Sequence, residues 1–186
     1  MATRGSESLA KWRSQAVKRI QATRRSTLAL IARIPEAELL RPRTQDEWSV
    51  KDMLGHLTSC DEETVRRFKL IARGRADRIL WFNMTIANEF NARTVAQKRR
   101  LGLAALLRRM AKAHADVIDG LQRLPVESLE DSSHAYTVVS WLPVPGWRHE
   151  QHHMSDAKAW WQAQRKARAG QRPARSPATK RKGSAF

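Results

Sequence analysis

Apolar residues recur at helical spacing over most of the chain, and almost nowhere do they alternate as a strand requires. Trp12, Ala16, Ile20, Thr27, Ile31 and Ile34 share one face of a long amphipathic helix predicted over residues 8–34, with arginines and lysines between them. Pro35 and Pro42 bar its continuation. A second helix starts at Ser49, whose side chain can cap it, and Asp52 three residues on places its charge where the helix N-terminus favours it. Val50, Leu54, Leu57, Thr64, Phe68 and Ile71 then mark a seam of fours and threes, and Gly74 marks the end. After the connection RADRILWFNM, a third helix is predicted over 85–100 with Ile86 and Phe90 inward, broken by Gly102. Leu103, Leu107, Met110, His114, Val117, Leu121 and Leu124 form the cleanest seam in the chain, ended by Pro125. The β-branched run Tyr136–Leu142 reads as extended, but one short run cannot make a sheet. Pro143, Pro145 and Gly146 close it, and a last helix is predicted over 147–167. Four or five helices with hardly any strand signal make an all-α helical bundle.

Composition changes this picture in two places. At 186 residues the chain suits one domain with a proper core, no apolar run approaches a membrane span, and MATRGSESLAKW lacks the apolar stretch of a secretory signal. The single cysteine, Cys60, rules out an internal disulfide and fits a reducing cytoplasm. Of the formal charge of +17, eight units lie from Arg165 onward with no acid among them, which leaves +9 for the rest. Residues 166–186 therefore read as a disordered basic tail after a bundle over 8–165, with residues 1–7 as a disordered N-terminus. Such a tail is either a solvated extension or an electrostatic contact for nucleic acid or another acidic partner.

The candidate chemistry lies in histidines. WRHEQHHMSDAKAWW holds three of the six. His149 and His153 are four apart and share a helix face, and two imidazoles at that spacing can grip one transition metal. His152, three from His149, is also usable. His56, in WSVKDMLGHL, is the best candidate for a third ligand from a facing helix. Three protein ligands leave a position for water or substrate, the pattern of catalytic rather than structural sites. His114 on an apolar seam reads as a packed core residue, and His134 has no evident partner. The string from His149 to His153 also fits H-E-x-x-H, the zinc-protease pattern, but no further histidine or glutamate follows it, and Glu150 reads as a solvated helix residue. Cys60 shares a face with His56 and reads as a small core residue rather than a ligand. The tryptophans read mostly as packing, with one or two walling a pocket.

EWSVKDMLGHL, with its histidine seven residues after Ser49, resembles the first metal-binding segment of the DinB-like superfamily. The last helix of that family reads His-x-x-x-His followed some residues later by Trp, which here is His149, His153 and Trp160. LIARIPEAELLRP and NEFNARTVAQKR are also similar to it, so the resemblance covers residues 15–164. It implies a four-helix bundle of up-down-down-up type, often dimeric, with one divalent metal, zinc or nickel, on His56, His149 and His153. It thereby chooses His153 over His152. It also implies thiol-dependent transferase or isomerase activity with a low-molecular-weight thiol, or hydrolysis of a small electrophile. The basic tail is not part of the family pattern, and Cys60 stands where relatives often carry a large aromatic residue.

Overall fold

The computed structural model describes residues 4–43 and 48–170. Its long helices are α1 (Arg4–Ile31), α3 (Val50–Ala72), α4 (Met84–Arg99), α5 (Leu103–Arg123) and α7 (His149–Gly170), and two short ones are α2 (Glu36–Leu40) and α6 (Val138–Trp141). Single 3-10 turns at Ala76–Arg78 and Val126–Leu129 and a wide π-type turn at Val144–Arg148 link them. The fold is all-α. Among the described residues there is no strand, only an isolated bridge between Pro42 and Ser49. None of these helices is long and apolar enough to cross a membrane.

The seams read from the sequence are the faces that pack. α3 lies at the centre, with α5 and α4 against it and α1 and α7 paired alongside. One end of the core joins Ala16 and Ile20 of α1 to Phe68 and Ile71 of α3 and to Val117 and Leu121 of α5. The other end joins Ile31 and Ile34 to Val50, Met53, Leu54 and Leu57, and to Met154 and Ala157 of α7. Gly74 ends α3 with φ +64, a left-handed conformation that suits glycine.

Two placements differ from the sequence reading. Tyr136–Leu142 is not extended: Thr137 caps a short helix, accepting from the Ser140 amide at 3.3 Å, and Val138, Trp141 and Leu142 bury on one face. The β-branched residues are accommodated because burial outweighs a weak intrinsic preference. Residues 4–7 belong to the first turns of α1 and residues 166–170 to the end of α7, while the rest of the expected basic tail, 171–186, lies outside the described residues.

Candidate metal centre

His56 owes its position to the start of α3. The Ser49 hydroxyl accepts from the Asp52 amide and the Asp52 carboxylate accepts from the Ser49 amide, each at 3.0 Å, a reciprocal cap that satisfies two of the orphan amides of the first turn. Arg99 of α4 donates twice to the same carboxylate, at 2.9 and 3.1 Å. Beside His56, Gly55 lets α4 come close: a Cβ there would sit 2.9 Å from Lys98 Cβ. His149 owes its position to the Val144–Arg148 turn, in which Gly146 leaves helical geometry at ψ −124 and Trp147 buries before α7 begins.

These elements bring three imidazoles together. His56 Nε2 lies 3.2 Å from His149 Nε2, which lies 2.9 Å from His153 Nε2. The Trp48 ring backs His56 at 5.1 Å between centroids. Two nitrogens bound to one zinc ion at about 2.0–2.1 Å would stand roughly 2.9–3.4 Å apart, depending on the angle between the bonds. The His56–His149 and His149–His153 spacings each fit a pair of ligands on one cation. Without one the arrangement is poorly satisfied, because His149 Nε2 has a single site, either N–H or lone pair, to offer two neighbouring nitrogens. Burial, reinforced by the neighbouring histidines, pushes His56 down to about 3 and His153 down to about 4, and burial also lowers His149. All three are neutral near pH 7, the form that ligates metal.

Cys60 joins this cluster, against its sequence reading as a core residue. Its Sγ lies 3.8 Å from His56 Nε2, and His56, Cys60 and His149 offer ligand atoms all within 4.8 Å of one another. Burial pushes the thiol up to about 12, so it is a neutral thiol unless a cation withdraws its proton. The other histidines stay apart. His152 is exposed and faces Asp156 at 3.7 Å, His134 faces Asp131 at 3.5 Å, and His114 lines a small internal cavity with Arg24, Asp61 and Glu150.

That cavity borders a buried ion network that sequence reasoning missed. Arg24 of α1 donates to both oxygens of Glu150, at 2.8 and 3.2 Å, and to Asp61 Oδ2 of α3 at 2.9 Å. Thr27 Oγ1 donates to Glu150 Oε1 at 2.6 Å. Glu150 is thus neither solvated nor free to act as a base: it is 6% exposed, and its carboxylate is committed to α1. The H-E-x-x-H reading fails on this geometry, because its glutamate points into the bundle.

On the opposite side lies an open pocket of about 570 Å³. His56, Cys60 and His149 form part of its wall, and Trp81, Phe82, Phe90 and Trp141 are among its aromatic residues. Trp81 and Trp141 are the pocket-walling tryptophans that the sequence left unspecified. A cation on the histidines would therefore be reachable by a small molecule.

The comparisons with known proteins agree with this architecture. The family model of the DinB superfamily matches residues 19–157, a span that contains all three converging histidines. No curated protein and no solved structure matches the chain.

Proposed function

From its membership of the DinB superfamily, to which this chain belongs, we propose that it is a divalent-metal-dependent enzyme acting on a small electrophile, as a thiol-dependent transferase or a hydrolase. The observation that carries this reading is the approach of three neutral imidazoles to one another, two of them, His56 and His149, on the wall of an open, aromatic pocket. His56, His149 and His153 would hold the cation, zinc or nickel by the character of the donors. When bound, the cation supplies Lewis-acid activation, lowering the pKa of a thiol or water at its open position to near neutrality.

The chain's own residues do the rest. His56 and His149 present their nitrogens from two different helices, so the site forms only when α3 and α7 are packed together. The Arg24 network fixes that packing. The aromatic wall binds the body of the electrophile and excludes water around it. As in the family, the chain would work as a homodimer.

Cys60 favours a second reading. A thiolate and an imidazole on one zinc ion would stand roughly 3.6 Å apart, and the pair here is at 3.8 Å. With Cys60 as a fourth ligand the site would be closed and structural, and the chain a non-catalytic metal-binding module.

The test is elemental analysis of the full chain beside His56→Ala, His149→Ala and His153→Ala, followed by cobalt substitution. About one divalent ion per chain, lost in each variant, with a cobalt spectrum free of thiolate charge transfer and sensitive to added thiol, supports the enzyme. A thiolate band that disappears in Cys60→Ser supports the closed site. Absence of metal after loading refutes both.

A further inference from the structure

The pocket beside the histidines carries donors that nothing in the fold satisfies. Arg67 of α3 lines it with a side chain 8% exposed. Its guanidinium is stacked among three rings, 4.9 Å from Trp81, 5.0 Å from Phe82 and 5.5 Å from Trp141. Its Nε donates to Glu63 Oε1 at 3.0 Å, but neither terminal nitrogen has an acceptor among the described residues. Nor has the buried indole Nε1 of Trp141, which walls the same pocket. One cavity thus holds a guanidinium end and a buried indole N–H that find no acceptor in the fold, donors left available to a ligand.

The local charge is positive. Glu63 is also gripped by Arg66, at 2.7 and 2.8 Å, so two guanidinium groups share one carboxylate and leave a net charge of +1. The terminal nitrogens are pre-organised by stacking, so little rotamer freedom would be lost on binding an acceptor. Around them the surface is apolar. Tyr136 is 54% exposed and Val144 60%, and both line the pocket.

We propose that this pocket binds a small molecule with an aromatic or similarly apolar body and one carboxylate-type anionic group, Arg67 receiving the anion with help from Trp141 Nε1. The inference extends the reading of this face as a substrate site and names the substrate class. Arg67 is a specificity-determining residue in it. The body lies against Trp81, Phe82 and Phe90, and the opposite end is directed at His56 and His149.

The experiment is calorimetric titration of the full chain with 2-naphthoate, its neutral amide and acetate, before and after loading with zinc. We expect naphthoate to bind about tenfold or more tightly than the amide, as a charge-assisted hydrogen bond contributes, and acetate not to bind measurably. The preference should vanish in Arg67→Met, survive in part in Arg67→Lys, and weaken a few-fold in Trp141→Phe. Equal binding of acid and amide overturns the proposal, as does a preference unchanged in either Arg67→Met or Trp141→Phe. Should Arg67→Met not fold, Arg67→Lys and Trp141→Phe decide it. A preference that appears only with zinc also overturns it while leaving the metal reading intact. Failure to take up zinc with the preference retained does the reverse.

Discussion

Replacing Arg24 with Met removes the cation from between the buried Glu150 carboxylate and the half-buried Asp61 carboxylate, and the structure sets what that costs. Arg24 is 5% exposed and donates three hydrogen bonds to carboxylates, two to Glu150 and one to Asp61, and a fourth to the Met110 carbonyl at 3.4 Å. Breaking a buried pair by removing one partner costs about 3–5 kcal/mol, because the other charge is left uncompensated. Here two are left, so the upper part of that range applies. At roughly 2–4 °C per kcal/mol for a chain of this size, the upper part of that range lowers the thermal midpoint by about 8–20 °C. Arg24→Lys restores the charge without the planar fork and should fall between the two.

The pH dependence makes the reasoning specific. Burial already pushes Asp61 up to about 6, against the opposing pull of Arg24. Without Arg24 that opposition is gone and the carboxyl rises further. A carboxyl whose folded pKa lies above its unfolded value of about 4 contributes stability that is present below that value and lost as pH rises through the folded pKa. The deficit of Arg24→Met against wild type should therefore be largest near pH 7.5 and shrink towards pH 5. Urea denaturation of both proteins at the two pH values, with chelator present and in a His114→Gln background, measures it without the histidine whose titration Arg24 itself depresses. A deficit below about 1 kcal/mol, or one that does not change with pH, would refute the argument.

Other substitutions test separate supports of the site. Gly55→Ala places a methyl 2.9 Å from Lys98 Cβ, so overpacking of ~1–3 kcal/mol should outweigh the helix-propensity gain of about 1 kcal/mol and leave a net loss in denaturant midpoint. Ser49→Ala removes the cap of α3, and should cost about 1 kcal/mol and weaken metal retention in a chelator competition, since His56 hangs from that helix start. Burial, with Arg24 adding to it, holds His114 down to about 4. It thus favours the folded state fully above pH 6.5, an advantage lost as pH falls towards 4. His114→Gln should accordingly lose less stability than wild type between pH 7 and 4.5.

The helices and the histidines were legible because both repeat locally. His56, His149 and His153 stand on helix faces that spacing alone defines, and the structure sets His149 3.2 Å from His56 and 2.9 Å from His153 while His152 faces Asp156. The Arg24 network was only half legible. Arg24 falls between Ile20 and Thr27 on the α1 seam, Asp61 fills the gap between Leu57 and Thr64, and Glu150 heads the buried stripe of Met154 and Ala157. A charged residue on an apolar seam is a signal that it has a buried partner. Which partner is not written locally, because Arg24 lies 37 residues from Asp61 and 126 from Glu150. The pocket was less legible still. Arg67, Trp81 and Trp141 come from a helix, a connection and a short helix with no common period. Only the packed chain shows that the terminal nitrogens of Arg67 and the Trp141 indole find no acceptor among the described residues.

The same geometry explains why one pentapeptide carries two roles. Successive residues of a helix point about 100° apart. Turning His149 towards the pocket therefore turns Glu150 towards α1, where Arg24 and Thr27 hold it. One helix over, Cys60 faces His56 while Asp61, the next residue, faces Arg24. The two helices that carry the histidines are thus clamped to α1 through residues immediately adjacent to the ligand face. A protease of the H-E-x-x-H pattern needs its glutamate on the substrate side. Here the buried arginine makes that impossible, and the glutamate holds the histidines at one spacing instead. Losing the clamp should therefore loosen metal affinity together with stability, whereas losing Arg67 on the open side should change ligand preference and leave metal affinity as it was.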